Sequence, residues 1–170
     1  FIQVLVQGKG YPQYGPLTPS QIGYWEGVEE IGYGYDLDLA KALMQEAGYT
    51  YNADGMLLTP EGEPFELFFC TFPVEIWVKT SEIAVEQLKE LGVNLTIRQE
   101  ELGIMLQRIT DGDYEISILG YTDLEADMLY FFFHTTGGSN FFHVSDPDLD
   151  EILELTRTET NSVARQEAVN

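Results

Sequence analysis

The alternation of apolar and polar residues in the middle of the chain predicts three strands separated by two helices. An almost unbroken apolar run, Phe65 to Thr71, is typical of a strand buried on both faces. Val93 to Arg98 and Tyr114 to Ile118 alternate apolar and polar positions, as strands do. Helical periodicity over Thr80 to Leu91 and over Glu100 to Thr110 fills the two intervals. The order β-α-β-α-β with short connections predicts an α/β fold with a parallel core and right-handed crossovers.

Flanking helices are predicted on both sides of this core. Asp36 is a suitable N-cap for a helix that stops at Gly48. Its apolar face comprises Leu39, Ala40, Leu43, Met44 and Ala47. Turn residues at 52–55 and 59–62 predict a short hairpin-like excursion. A final helix is predicted to begin at Ser145, with Pro147 in its first turn. The buried stripe of that helix is predicted to be Leu149, Ile152, Leu153 and Thr156.

The first 34 residues are rich in glycine and proline. They show no sustained helical or strand periodicity apart from a short strand predicted at Ile2 to Val6. We therefore expect residues 1–34 to form an extended Gly/Pro-rich entry segment and residues 35–170 to form a single α/β ligand-binding lobe. Another helix is predicted from near Asn161, and the sequence stops inside it at Asn170. This ending leads us to expect a fragment of a larger two-lobe protein.

Composition and charge limit the kinds of partner that the chain can bind. With 44% hydrophobic residues among 170, the chain has enough apolar material for a core. Eight Lys and Arg against 29 Asp and Glu give a net charge of −21, which excludes a nucleic-acid partner and disfavours an anionic membrane surface. No apolar run approaches the roughly 20 residues that span a bilayer, so direct membrane insertion is not expected. The acidity fits a solvated surface that keeps a monomer soluble, adaptation to high salt, or attraction of cationic ligands.

Motifs for chemistry are missing from the sequence. It has no nucleotide-binding loop, no zinc-protease motif and no nucleophile elbow, and one cysteine, Cys70, allows no internal disulfide. The spacing of a calcium-binding loop is present at Asp146, Asp148 and Asp150, but the glycine and the final glutamate of such a loop are missing. The start of a helix is therefore the better interpretation. His134 and His143 are more typical of packed or surface histidines than of metal ligands. We accordingly predict no catalytic residue, no cofactor and no metal.

Candidate ligand-binding residues follow from the sheet. In an open parallel sheet, ligands bind beyond the carboxyl ends of the strands. Tyr121, Thr122 and Asp123 follow the third strand, and Phe72 follows the first. An aromatic ring beside a carboxylate suits a ligand that carries an amine next to apolar surface. The alternative is that Asp123 only caps the segment after it. We interpret the aromatic run at 130–133 as core packing against the sheet.

Several segments in order resemble a known family. They are Tyr35 to Tyr49, Asp54-Gly55, Glu61 to Leu67, Ala84 to Val93, Gly112 to Tyr121, Asn140 to Asp150, and Ala164 to Glu167. Together they are similar to the family 5 extracellular solute-binding proteins of ABC transporters, which bind oligopeptides, dipeptides and nickel. The resemblance covers nearly the whole chain.

The resemblance implies a periplasmic-binding-protein-like lobe that closes on its ligand about a hinge. It implies capture of peptides or a similar small solute, delivery to ABC permease subunits, and no chemical step. The implied location is extracytoplasmic, in the periplasm or at the cell surface with a lipid anchor. In the family's peptide binders an acidic residue shortly after a Gly-Trp pair meets the peptide amino terminus; Gly120-Tyr121 and Asp123 stand in that region here. Asn140, in one of the resembling segments, completes the candidate ligand contacts.

The sequence departs from the family pattern in two places. Tyr121 stands where the family has tryptophan, and Asp127-Met128 stands where it has Asp-Pro. An oligosaccharide-binding member that relies on aromatic stacking is therefore an alternative. Two alternatives of other classes are an enzyme on the same scaffold and an acidic protein-interaction module for a basic partner.

Overall fold

The structure, a computed structural model, describes residues 1–21, 23–120 and 127–160. The chain divides into two compact units. The first contains residues 1–11, 34–109 and 113–119, and the second contains the described residues of 12–33, 110–112 and 120–170. None of the helices in the described ranges is both long and apolar enough to cross a membrane.

Twelve helices and strands are assigned within these ranges. They follow one another as α1 (Ile2–Leu5), α2 (Val28–Ile31), α3 (Leu37–Glu46), β1 (Thr50–Tyr51), β2 (Leu57–Leu58), β3 (Glu66–Thr71), α4 (Glu75–Glu90), β4 (Asn94–Gln99), α5 (Leu102–Thr110), β5 (Ile116–Ser117), α6 (Asp127–Phe133) and α7 (Pro147–Thr158).

A three-stranded parallel sheet lies at the centre of the first unit, which confirms the predicted β-α-β-α-β core. The strand order is β4-β3-β5. β3 pairs with β4 over six residues, and with β5 over two, where Phe69 faces Ile116 and Cys70 faces Ser117. The central strand is the most buried, because Phe68 to Thr71 are all buried, as its apolar run predicts. The third strand is shorter than the predicted range 114–118.

The helix between β3 and β4 begins five residues earlier than predicted. α4 starts at Glu75, with Val74 in an extended conformation as its N-cap. Glu75 and Lys79 form an i,i+4 ion pair, Oε1 to Nζ 2.5 Å, which stabilises this first stretch of the helix. The consecutive apolar residues 76–78 break the helical period in the sequence, so the period becomes visible only from Thr80 onward.

The predicted strand at Ile2 to Val6 is wrong, because residues 2–5 form the short helix α1. The amides of Val4 and Leu5 donate to the carbonyl of Phe1 over 3.1 and 2.8 Å. Ile2, Val4 and Val6 alternate as in a strand, but a strand needs a neighbour for its backbone groups, whereas a helical turn satisfies them locally.

In the first unit, helix α3 and the β1–β2 hairpin form where the capping and turn residues of the sequence predict them. The Asp36 side chain accepts a hydrogen bond from the Leu39 amide at 2.8 Å, and Gly48 has φ +91° after the helix, so both ends of α3 are confirmed. β1 and β2 form the predicted antiparallel hairpin. The Leu57 amide donates to the carbonyl of Gly92 at 2.8 Å, which ties this hairpin to the end of α4.

The second unit is held by packing between α6, α7 and the segment before α2. Leu17, Leu129 and Leu153 form its buried cluster, and the partly buried side chains around it are Tyr24, Met128, Tyr130, Phe133 and Leu149. Of the aromatic run, Tyr130 and Phe133 pack against this cluster, whereas Phe131 is 38% exposed. The predicted packing of the run against the sheet is wrong, because the cluster belongs to the second unit and the sheet to the first. Along α7, Leu153 and Thr156 are buried as predicted.

Two details of α7 differ from the prediction. Asp146, not Ser145, is the N-cap, because its carboxylate accepts from the amides of Asp148 and Leu149 at 3.0 and 3.3 Å. Ionised carboxylates make strong caps at a helix N-terminus, where the backbone amides carry partial positive charge. Ile152, predicted in the buried stripe, is 45% exposed.

Candidate functional site

The carboxyl ends of the three parallel strands meet at one edge of the sheet in the first unit. β3 ends at Thr71, β4 at Gln99 and β5 at Ser117. The Glu100 amide donates to the carbonyl of Thr71 at 2.9 Å, so pairing continues one residue past β4. This edge is where ligands bind in open parallel sheets.

Phe72 lies at this edge, where the sequence predicts it, and makes an aromatic pair with Trp77 of α4. The ring centroids are 6.1 Å apart with a tilt of 47° between the planes. The neighbouring Val74 and Ile76 are 43% and 40% exposed. Phe72 thus belongs to an accessible apolar surface directly after the central strand, which can cover an apolar side chain or a ring face of a ligand.

A buried hydroxyl stands beside this surface. Thr71 is fully buried, and its Oγ1 has no hydrogen-bond partner within the described part of the chain. Leaving a buried hydroxyl without a partner costs about 1 to 3 kcal/mol. The end of β3 therefore combines apolar surface with one unsatisfied polar group.

The electrostatics of the edge are set by a group of paired charges. Arg108 of α5 donates to both carboxylate oxygens of Glu100, from Nη2 at 2.8 Å and from Nε at 2.9 Å, and to Asp113. These hydrogen bonds to its charged form hold the pKa of Glu100 below its usual range. Burial raises the pKa of the neighbouring Cys70 thiol, so this cysteine stays protonated at neutral pH.

Asn140 lies in the second unit and shapes its own loop. Its Nδ2 donates to the Val144 carbonyl at 2.7 Å, and its Oδ1 accepts from the Val144 amide at 3.0 Å. The side chain therefore closes the turn between residues 140 and 144. The other predicted contacts, Tyr121, Thr122 and Asp123, fall outside the residues that the structure describes.

His134 is packed in the second unit, as predicted. It is 5% exposed and stacks on Tyr130 with ring centroids 4.1 Å apart. Its Nδ1 accepts from the Thr136 amide at 3.0 Å, which places the proton of the neutral ring on Nε2. Nε2 lies 3.5 Å from Glu154 and 3.8 Å from Asp150. No cluster of three metal-binding side chains occurs in the described ranges.

Comparison with known families identifies the group to which the chain belongs. Residues 1–143 match the family model described as bacterial extracellular solute-binding proteins, family 5, middle region. The chain is a family 5 solute-binding protein. The match includes β1 to β5, the candidate edge and the loop that carries Asn140.

Relatives of this family 5 chain are longer than the chain itself. It is 23% identical over 173 residues to the di/tripeptide-binding protein 2 of Pseudomonas aeruginosa, strain UCBPP-PA14. That alignment covers 97% of this chain and 30% of the relative, so the chain spans about a third of the relative's length.

Solved structures of similar fold support the family 5 architecture. The oligopeptide-binding protein AppA of Bacillus subtilis, in complex with a nonapeptide, superimposes with a TM-score of 0.83 at 18% identity, over 98% of this chain and 34% of that one. A periplasmic oligopeptide-binding protein of Thermotoga maritima, bound to mannohexaose, gives a TM-score of 0.83 at 19% identity, over 99% and 34%. These superpositions confirm the periplasmic-binding-protein-like fold.

Sequence reasoning missed two features of this candidate edge. Trp77 was not predicted, because the start of α4 was placed after it; Pro73 followed by the Glu75–Lys79 spacing was the available signal. The pairing of Glu100 with Arg108 was also missed. Those residues are eight apart, and Glu100 precedes the helix, so the i,i+4 rule does not apply to them.

Proposed function

We propose that this chain is one ligand-binding lobe of a two-lobed protein that captures peptides and hands them to an ABC permease. The observation that carries the proposal is the family 5 match of residues 1–143, supported by a di/tripeptide-binding relative that aligns with 97% of the chain. In this proposal residues 1–34 are the entry segment and residues 35–170 the lobe. The protein acts as an extracytoplasmic monomer, without a cofactor or a chemical step.

Capture proceeds by closure of two lobes on the ligand. A ligand that contacts both lobes binds the closed form more tightly and shifts the population toward it. Asp123 pairs with the peptide amino terminus, Tyr121 covers the adjacent backbone, and Thr122 offers a hydroxyl. Phe72 covers an apolar side chain together with Trp77, whose ring lies 6.1 Å away. An isolated lobe supplies only part of these contacts, so we expect it to bind weakly.

Asn140 has an indirect role in this proposal. Both polar groups of its amide bond to the Val144 backbone. A direct ligand contact would compete with these bonds, so Asn140 contributes through the shape of the loop that it closes.

An oligosaccharide ligand is the second candidate. The accessible Phe72–Trp77 pair supplies the aromatic surface on which sugar rings stack. A protein of the same fold was solved with mannohexaose bound. In this case the aromatic pair carries more of the affinity than Asp123 does.

Native mass spectrometry of the full-length protein that carries this chain distinguishes the candidates. Ligands that co-purify are weighed before and after denaturation. A series of peptide masses that disappears in Asp123→Ala and persists in the control Asp54→Ala, which removes an exposed carboxylate in the hairpin turn, supports peptide capture through Asp123. A hexose ladder would replace the peptide proposal with the sugar one.

A further inference from the structure

An apolar pocket of about 130 Å³ lies beside helix α2 in the second unit, and we call it the α2 pocket. The side chains that line it include Leu17, Tyr24, Trp25, Val28, Ile31 and Leu129. Leu17 and Leu129 are 6% and 9% exposed, whereas Trp25 and Ile31 are 41% and 71% exposed. The pocket therefore combines a buried apolar wall with apolar side chains that remain in contact with solvent.

Two glycines allow the walls of the α2 pocket to form. A β-carbon on Gly15 would stand 2.7 Å from Cγ2 of Val28, and a β-carbon on Gly27 would overlap the ring of Trp25. A larger residue at either position would displace Val28 or Trp25 from the wall. The sequence of this segment thus maintains the pocket through close contacts between side chains and bare backbone.

The volume of the α2 pocket decides which kind of occupant fits. Pockets for small-molecule ligands measure about 300 to 1,000 Å³, whereas a cavity of about 150 Å³ holds one benzene ring. The α2 pocket has room for one aromatic or branched aliphatic side chain, and it is too small for a whole small-molecule ligand. Protein interfaces place their anchoring side chains in pockets of this kind, often against a tryptophan.

The charges around the α2 pocket are negative. Glu26, Glu29 and Glu30 stand next to or between its lining residues in the chain, and all three are exposed. None of them forms an ion pair within the part of the chain that the structure describes. Residues 10–40 contain no Lys, Arg or His that could balance them. An occupant with positive charge beside its apolar group therefore gains from electrostatic attraction as well as from burial.

The charge of the whole chain restricts the occupant further. Its net charge of −21 opposes the docking of a second copy, because like charges repel. At α6 the charges are balanced, since Arg157 pairs with Asp127 at 2.7 Å, two residues before Leu129. The unbalanced acidic charge thus lies on the α2 side of the pocket, and the occupant that fits is basic.

We propose that the α2 pocket docks a partner protein through one apolar side chain that is flanked by lysine or arginine residues. The apolar side chain enters between Trp25, Ile31 and the buried leucines, and the flanking cations pair with Glu29 and Glu30. The proposal goes beyond ligand capture and does not depend on which ligand the lobe binds.

The test is calorimetric titration of the full-length protein with the capped peptide acetyl-Lys-Lys-Phe-Lys-Lys-amide, and with its counterpart that has alanine in place of phenylalanine. The caps remove the charged termini, so neither probe offers the amino terminus assigned to Asp123. Ile31→Gln is compared with Ile104→Gln, because both isoleucines are largely exposed, at 71% and 57%, and each variant should keep the fold. Titrations are repeated with trialanine present in excess.

A second pair of variants tests the charges. Glu29→Gln combined with Glu30→Gln removes two carboxylates beside the α2 pocket. The control combines Glu61→Gln with Glu63→Gln, which removes two exposed carboxylates after β2. Both double variants change the net charge equally.

We expect the phenylalanine probe to bind the wild type at least about fivefold more tightly than the alanine probe does, because only the former fills the pocket. Ile31→Gln should weaken binding of the phenylalanine probe about fivefold or more, for the same reason. The variant at Glu29 and Glu30 should weaken it about two- to fivefold, as expected for exposed ion pairs. Both control variants should bind as the wild type does, and trialanine should not displace the probe.

Equal binding of the two probes, equal losses in Ile31→Gln and Ile104→Gln, or displacement of the probe by trialanine would overturn the docking role. Failure of the wild type to bind the phenylalanine probe would overturn it as well. If Ile31→Gln then also unfolds at lower urea than Ile104→Gln, another part of the full-length chain fills the pocket. Absence of trialanine binding would contradict only the proposed peptide function, since the comparisons at Ile31 and at the glutamates do not involve trialanine.

Discussion

Gly92 approaches Gly55 so closely that a β-carbon on Gly92 would stand 2.6 Å from the Gly55 carbonyl oxygen. Gly92 also has φ +86°, a left-handed conformation that side chains disfavour. Gly62 has nearly the same φ, +87°, but open space around it. Comparing substitutions at Gly92 and Gly62 therefore separates the stability lost through the left-handed φ from the stability lost through steric crowding.

We expect Gly92→Ala to be clearly more destabilising than Gly62→Ala. The Gly62 variant should lose about 1 to 2 kcal/mol from the left-handed angle alone. The Gly92 variant should lose more, because its new β-carbon also pushes the β1–β2 hairpin away from the end of α4. Urea denaturation of both variants measures the difference, and equal losses would contradict the close packing of hairpin and helix.

The pairing of Glu100 with Arg108 predicts a dependence of stability on pH. The pKa of Glu100 is lowered in the folded protein, whereas the unfolded chain has the ordinary value of about 4.3. The charged pair therefore stabilises the fold above about pH 4.3, and this contribution is lost as the pH falls through the lowered pKa of the folded state. Glu100→Gln should be less stable than the wild type by about 1 to 2 kcal/mol at pH 7.

The same comparison at acidic pH provides the check. Below about pH 4.3 the unfolded chain binds a proton at Glu100 more readily than the folded protein does, so the gap in stability between the two proteins should narrow as the pH falls. Denaturation curves at pH 7 and pH 3 measure this gap. A difference that stays constant with pH would show that the charge of Glu100 contributes nothing.

Two isoleucines on α5 predict contrasting losses of stability. Ile109 is 1% exposed and Ile104 is 57% exposed. Ile109→Ala leaves a cavity in the packing beneath the helix and should cost about 2 to 5 kcal/mol. Ile104→Ala removes the same atoms from the surface and should cost about 0.5 kcal/mol or less. Chemical denaturation of the two variants tests whether Ile109 faces the core and Ile104 faces solvent; similar losses would reject that orientation of α5.

Asp36 predicts a helix-capping effect. Its carboxylate accepts from the Leu39 amide at 2.8 Å, and Asp38 is the other acidic residue at the start of α3. Asp36→Ala should destabilise the protein by about 1 kcal/mol, because the amide loses its partner. Asp38→Ala removes the same charge without a cap and should cost less. Amide exchange at Leu39 reports the cap directly, and unchanged exchange in the Asp36 variant would refute it.

Local patterns predict the elements whose stabilising contacts lie close in sequence. The cap of Asp36, the stop at Gly48 and the buried run of β3 are each visible within about ten residues of sequence, and the structure confirms them. Phe72 directly follows β3 for the same reason, and its contact with a ligand stays a prediction.

Features that depend on distant partners could not be predicted in this way. Ile2 to Val6 alternates like a strand, but a strand needs a partner elsewhere in the chain, and alternation does not show whether one exists. Here local hydrogen bonds to the Phe1 carbonyl form a helical turn instead. The length of β5 is set by its pairing with β3, some 47 residues earlier. The Arg108–Glu100 pair depends on how α5 returns to the end of β4, which no periodicity shows.

Calorimetric titration of the full-length protein with trialanine and with N-acetyl-trialanine tests the central claim most directly. The two ligands differ by the charged amino terminus that Asp123 is proposed to bind. We predict that trialanine binds and that acetylation weakens binding at least about tenfold, equivalent to 1.4 kcal/mol. Equal binding of both ligands would contradict the role of Asp123, and binding of an oligosaccharide with no uptake of either peptide would contradict peptide capture itself.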